Sequence, residues 1–196
     1  MNLIVKPINK GTAASVVVAK HYSRRLGIFW EGFGLFRGGD LIGVCCFGLP
    51  AAPIQRHAFH GRDFRLYELT RLVVDDGTPN AASFLIGRSI RQLTERRCAI
   101  ISYADGAHGH HGCVYQAANF YFTGYVTAHD KLYLVDGVPT HPMTLRDRGI
   151  TAPSEWAKLH DIKTISPSPK ARYFFFRGSQ KDRSAMCDKL LYPIQP

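Results

Sequence analysis

Three histidines and three glycines fall within the seven residues Gly106-Ala107-His108-Gly109-His110-His111-Gly112, directly after an apolar run, Ala99 to Tyr103, that ends in Ala104-Asp105. Such a segment adds little to a core. Its composition suits a place where a ligand approaches the backbone and where groups titrate near neutral pH. Asp105 stands just past the strand, where open α/β sheets present catalytic groups, and a carboxylate there can accept a proton from a nucleophile. The competing reading is a plain turn in which Asp105 serves only as turn former or helix cap. His108, His110 and His111 are candidate metal ligands, although their spacing matches no well-defined site.

Two other segments could carry chemistry. His21-Tyr22-Ser23-Arg24-Arg25 closes the first predicted helix. Either His21 and Tyr22 face a cleft as an acid/base pair with Arg24 and Arg25 on phosphates, or the cations only complement the negative end of the helix dipole. The turn Gly77-Thr78-Pro79-Asn80-Ala81-Ala82-Ser83 opens the strongest predicted helix. Its first-turn amides could cradle a phosphate or carboxylate, or Asn80 or Thr78 could simply cap the helix. It lacks the Gln or Arg and the paired glycines that mark a coenzyme A pyrophosphate loop. Arg71 lies on a strand predicted to line the cleft; it either binds a donor's carbonyl or phosphate or pairs with Glu68.

These residues need a frame. Leu3 to Val5 reads as a strand, Thr12 to Tyr22 as a helix, and Ile28 to Phe36 and Leu41 to Phe47 as strands joined by the hairpin turn Arg37-Gly38-Gly39-Asp40. Leu66 to Val74 is a third strand, running into Asp75-Asp76-Gly77. Asn80 to Arg97 is a helix, with Phe84, Leu85, Ile86, Ile90 and Leu93 at helical spacing. Ala99 to Tyr103, helix Cys113 to Asn119, strand Tyr121 to Thr127, a hairpin about Asp136-Gly137, and strand Tyr173 to Phe176 complete the order. The predicted architecture is one α+β domain, a central mixed sheet flanked by helices, with a core of about residues 1–150 and residues 151–196 packed on it as an extension. The order matches that of Gcn5-related N-acetyltransferases, in which the donor sits where two neighbouring strands splay apart.

Twenty-five Lys and Arg against fifteen Asp and Glu give a net charge of +10, which favours a polyanionic partner, nucleic acid first. Two patches interleave cations with aromatics: Arg56, His57, Phe59, His60, Arg62, Phe64 and Arg65, then Lys170, Arg172, Tyr173 and Arg177. No apolar run suits a membrane span, so a cytoplasmic protein is expected. Five cysteines without a CxxC pair point to reduced thiols and away from structural zinc.

The combination of His21-Tyr22-Ser23, Glu68-Leu69-Thr70-Arg71-Leu72-Val73-Val74, Pro79-Asn80-Ala81-Ala82-Ser83-Phe84, Ser102-Tyr103-Ala104-Asp105, Gly109-His110-His111-Gly112 and Tyr115-Gln116-Ala117-Ala118-Asn119-Phe120 resembles the Mom family of Mu-like bacteriophages. The resemblance spans most of the chain. It implies a transferase that converts adenine N6 in double-stranded DNA to N6-carbamoylmethyladenine in the host cytoplasm, protecting phage DNA from restriction. With the residue chemistry above, the expected catalytic set is Asp105, Tyr115, His21, Tyr22 and Ser102; the expected donor-binding set is Arg71, Asn80, Ala81, Ala82, Ser83 and Asn119; and the charge patches make Arg24, Arg25, Arg56, Arg62, Arg65, Lys170 and Arg172 the expected DNA contacts. The donor, a coenzyme A ester, a glycine derivative or a charged transfer RNA, is left open, as are a metal and the oligomeric state. Adenine would be flipped against aromatic walls drawn from Tyr22, Tyr103 and Phe47. The rival functions are a coenzyme A-dependent N-acetyltransferase acting on a protein or small amine and a non-enzymatic DNA-binding module. A methyltransferase is disfavoured, since no Gly-rich loop follows the first strand.

Overall fold

Gly38 and Gly39 both take positive φ, 62° and 104°, and the runs they join pair as an antiparallel hairpin, β2 (Glu31–Arg37) and β3 (Asp40–Gly48). This computed structural model describes residues 3–75, 77–127 and 131–195; Asp76, within the expected turn, lies outside them. β1 (Leu3–Pro7) pairs with β2, and β4 (Arg65–Val74) runs antiparallel to β3. Helix α2 (Ala52–His57) lies between β3 and β4, and helix α3 (Ala81–Gln92) then crosses over so that β5 (Cys98–Asp105) lies parallel to β4. The sheet is completed by β10 (Lys170–Arg177) and, at the edge, β6 (Tyr121–Val126), giving the order β1-β2-β3-β4-β5-β10-β6.

Residues alternate between the two faces of this sheet. Leu69, Phe47, Phe33 and Ile100 pack with Leu85, Ile86 and Ile90 of α3 and with Tyr115 of α4 (Cys113–Ala117). The opposite face is covered in two pieces. Ala13 and Val17 of α1 (Lys10–Lys20) pack on Val44 and Cys46, and Met186 of α7 (Gln180–Asp188) packs on Leu66, Ile101 and Phe174. Phe47 is fully buried. It belongs to the core and walls no base pocket, and its truncation to alanine would cost about 3–5 kcal/mol.

Two irregularities shape the space between α1 and α7. The β4–β5 ladder pairs Arg65 to Glu68 with Cys98 to Ile101 and stops there. In β4, Cys46 faces Arg71 and Phe47 faces Leu69, so Thr70 is an extra residue, a bulge whose hydroxyl donates to the Cys46 carbonyl at 3.2 Å. Past Glu68 the two parallel strands therefore diverge.

The helix predicted to reach Arg97 ends at Gln92. Leu93 is the last buried position; Thr94 donates from its backbone N–H to Glu31 (3.0 Å), and Arg97 turns to Asp63 and Asp182. The expected extension also needs correction. β10, from the segment 151–196, lies inside the sheet between β5 and β6, because its alternating Phe174 and Phe176 are needed by the core under α7. What hangs outside the sheet is the stretch between β6 and β10. There β7 (Leu132–Val135), β8 (Val138–Thr140) and β9 (Thr164–Ile165) form a small sheet with α5 (Pro142–Asp147) and α6 (Pro153–Leu159) around Tyr133, Leu145 and Ala157.

Candidate active site

Where β4 and β5 part, a cleft of about 310 Å³ opens. Thr70 and Arg71 of β4, Tyr103 of β5, His21 and Tyr22 after α1, and the 109–115 loop with Tyr115 line it. The two histidine-bearing segments that the sequence singled out are therefore brought together. Gly112 sits at the start of α4 with φ 79°, and a Cβ there would fall 2.1 Å from the Tyr173 hydroxyl, so this position requires glycine.

His21 closes α1, and its Nδ1 accepts from the Ser23 backbone N–H at 3.1 Å. Burial first, then the charges of Arg71, His110, His108 and Lys170, lower its pKa to about 4. The ring is neutral at physiological pH with its proton on Nε2, so it offers no cation to the helix end. Tyr22, held largely in its protonated form by burial, stacks on His108 with ring centres 4.0 Å apart. Tyr115 is nearly buried, lies 3.5 Å through its hydroxyl from the Tyr103 carbonyl, and has its pKa pushed up to about 12 by burial; it can donate a proton and not accept one.

Asp105 lies just behind the cleft lining. Burial pushes its carboxyl up, but Lys170 at 3.0 Å and His108 at 3.5 Å outweigh burial and hold it below 3.8; its Oδ1 also accepts from the Ala107 N–H at 3.2 Å. That carboxylate is already fully engaged. Ser102, expected among the catalytic residues, is fully buried, and its hydroxyl donates to the Leu69 carbonyl at 3.3 Å, pinning the two strands where their ladder ends. Among the described residues no group of three His, Cys, Asp or Glu is arranged to hold a metal ion.

Arg71 does not pair with Glu68. Its Nε donates to the Arg25 carbonyl and its Nη1 to the Thr70 carbonyl, both at 2.5 Å, while Gly27 lies beside Nη2. Glu68, two residues from Leu66 on the same face and the last paired residue before the divergence, has no hydrogen bond or ion pair among the described residues. Burial raises its pKa from 4.5 to about 7, against the pull of Arg71 and Lys170. The sequence reading gave Glu68 no catalytic role; a lone carboxylate in a strand between apolar neighbours was the available signal.

The expected donor residues divide. Arg71 lines the cleft, whereas Asn80, Ala81, Ala82 and Ser83 begin α3 beyond its lining, and Asn119 follows α4 with φ 62°. Asn80, also left-handed, does not cap α3 with its side chain; Arg37 steadies the turn by donating to Thr78 at 2.9 Å. Uncapped first-turn amides suit an anionic group of a donor.

The expected DNA contacts divide too. Arg172 is taken up inside the fold, bonded to Thr123 and packed 3.4 Å from the Tyr192 ring, Lys170 by Asp105, Arg25 by Asp147 at 2.8 Å, and Arg24 by the Val18 and Ala19 carbonyls that end α1. Of these only Arg172 is buried; Arg24, Arg25 and Lys170 keep part of their surface in solvent. Arg56, Arg62 and Arg65 remain exposed; Arg62 and Arg65 rim a second hollow of about 430 Å³ at the opposite end of β4. Two carboxylates line it, Asp63, which is bound by Lys189 and Arg97, and Glu95; among the described residues neither forms an ion pair with Arg62 or Arg65, whose charge faces solvent.

A parallel strand pair splayed around a bulge, with a tyrosine at the start of the following helix, defines an acetyltransferase-type fold. Solved structures agree: the NAA60 protein of Arabidopsis thaliana with acetyl-CoA matches at TM-score 0.53 and 12% identity, over 89% of this chain and 98% of that one. A probable acetyltransferase from Staphylococcus epidermidis matches at TM-score 0.52 and 9% identity, over 89% and 99%. The chain belongs to the Mom protein family, whose profile matches residues 2–194. It is 31% identical over 210 residues to the methylcarbamoylase Mom of Escherichia phage Mu, covering 99% of this chain and 83% of that protein. The expected transferase class, family and α+β acetyltransferase-like fold agree with these findings. No helix among the described residues is long and apolar enough to cross a membrane.

Proposed function

We propose that this chain transfers a carbamoylmethyl group to N6 of adenine in double-stranded phage DNA, in the host cytoplasm; its phage Mu relative is named a methylcarbamoylase. The observation that carries the reading is Glu68: a half-buried carboxylate with no hydrogen bond or ion pair among the described residues, next in the strand to the cleft-lining Leu69 and on the same sheet face as Arg71 and Tyr103, in a chain of net charge +10. Adenine N6 is a poor nucleophile and is stacked inside the duplex, so the base must leave the stack, at a cost of a few kcal/mol. Tyr22 and Tyr103 flank the space that receives it. As the bond from N6 to the transferred carbon forms, the N6 proton passes to Glu68. Tyr115 gives a hydrogen bond or its proton to the departing group. His21, Arg71 and Lys170 supply the polar surround, and Asp105 acts by fixing Lys170 and the turn at 106–108.

A donor of the coenzyme A ester class, a glycine derivative or a charged transfer RNA would supply the activated carbon; the first turn of α3 and Asn119 suit its anionic and polar parts. Arg56, Arg62 and Arg65 are proposed to contact DNA phosphates. Plasmid prepared from bacteria expressing the protein should resist endonucleases whose sites contain adenine, and plasmid from Tyr115→Phe cells should be cut. Equal cutting with and without the folded protein contradicts the proposal.

A further inference from the structure

Residues 21–30, between α1 and β2, are tied to the sheet through their backbone. The Arg25 carbonyl accepts from Arg71, the Trp30 N–H donates to the Phe47 carbonyl at 2.8 Å, and the Ile28 carbonyl lies so close over Gly48 that a Cβ there would come within 2.1 Å of it. Despite this anchoring, three large side chains stay in solvent: Tyr22 is 43%, Ile28 53% and Trp30 40% exposed. Single exposed apolar residues are ordinary, but three on one fixed ten-residue strip are not explained by folding.

Each of the three stands beside a feature of the site. Tyr22 is part of the cleft wall. Gly27 lies beside the Arg71 guanidinium, and Ile28 rests a methyl group over Gly48, the residue paired with Glu68. Trp30 carries the Arg65 guanidinium 4.9 Å over its ring, next to Arg62. The strip thus runs from the mouth of the cleft, past the unpaired carboxylate, to the exposed cations at the far end of β4. Along β4, Arg65 and Arg71 are about 20 Å apart, close to the width of a duplex.

We infer that this strip is the edge that meets duplex DNA, and that Ile28 enters the base stack at the place the adenine vacates while Trp30 and Arg65 rest against the sugar-phosphate backbone. The inference rests on the DNA-adenine reading above. An apolar wedge offsets the unstacking cost by refilling the hole, and it must project from a rigid element next to the pocket that takes the base. Ile28 meets both conditions: its backbone is fixed, one methyl group rests over Gly48, and the rest of its side chain, about half of the residue's surface, is open to solvent.

The test uses the purified full chain and a duplex carrying 2-aminopurine, which brightens when unstacked, in place of several adenines. Wild-type protein should raise the fluorescence. Ile28→Ala should keep its melting temperature, as expected for an exposed side chain, yet lose most of the rise even on duplex saturated with protein. Ile28→Leu should restore it, and so should pairing Ile28→Ala with a duplex that has abasic positions opposite the probes, where unstacking is already cheap. A wild-type signal from Ile28→Ala overturns the inference. So does binding by wild type without any rise while modified adenine still forms in cells, an outcome that leaves the functional reading intact. Absence of both DNA binding and modified adenine refutes the reading and the inference together.

Discussion

Replacing Glu68 by glutamine should move activity and stability in opposite directions. Burial holds the Glu68 carboxyl at about 7 in place of 4.5. At about 1.4 kcal/mol per pH unit, keeping it ionised in the folded chain costs on the order of 3.5 kcal/mol. The folded state favours the protonated form, so this group's stabilising contribution is complete below pH 4.5 and is lost as the pH climbs through about 7. Glutamine keeps the shape and does not titrate. Glu68→Gln should therefore melt roughly 7–14 °C higher than wild type at pH 8, with the gap closing near pH 5. Modified adenine should fall about 10²- to 10⁴-fold, the usual contribution of a positioned base. Wild-type activity should rise through about pH 7 and then level off, because only the ionised carboxylate accepts a proton. The measurements are thermal melting at both pH values and modified adenine per total adenine. Retained modification, or a lower melting temperature at pH 8, refutes the reasoning.

Asp105→Asn should act in the opposite sense on stability. Its carboxyl is held below 3.8, so its contribution is present above that value and lost as the pH falls through the lowered one; the variant should lose about 1–3 kcal/mol at neutral pH, with the difference shrinking in acid, and modification should drop because Lys170 loses its anchor. Unchanged melting at pH 7 would show that the pair with Lys170 carries no stability. Replacing Arg56, Arg62 and Arg65 by alanine should weaken DNA binding for every sequence and lower the salt slope by about one per lost phosphate contact; an unchanged slope would place the DNA elsewhere. Gly48→Ala drives a methyl group into the Ile28 carbonyl and should displace the 21–30 strip. Modification should fall although no polar side chain has changed, and normal modification would show that the strip tolerates the shift.

The order of strands and helices in the sheet was legible because each element carries its own local signal: alternating apolar residues, the Arg37 to Asp40 turn, helical spacing from Phe84 to Leu93. The place of β10 was not. Strand order depends on which edge the core leaves open, and nothing near Tyr173 records that its partner is β5. His21, Tyr22, Arg71 and Tyr115 were named from sequence and do meet in one cleft. Asp105 was singled out for its position after a strand, but the sequence does not reveal that Lys170, sixty-five residues later, returns to neutralise it. Glu68 was overlooked for the matching reason: the absence of a partner is a property of the fold. Arg172 and Lys170 looked like surface cations because composition counts charge without counting burial.

The central claim is that adenine in DNA is the acceptor, and mass spectrometry of digested genomic DNA from bacteria expressing the folded, soluble chain tests it most directly. The account predicts a new deoxyadenosine enlarged by a carbamoylmethyl group, absent from cells without the protein and nearly absent with Glu68→Gln. DNA nucleosides identical to those of control cells would contradict it.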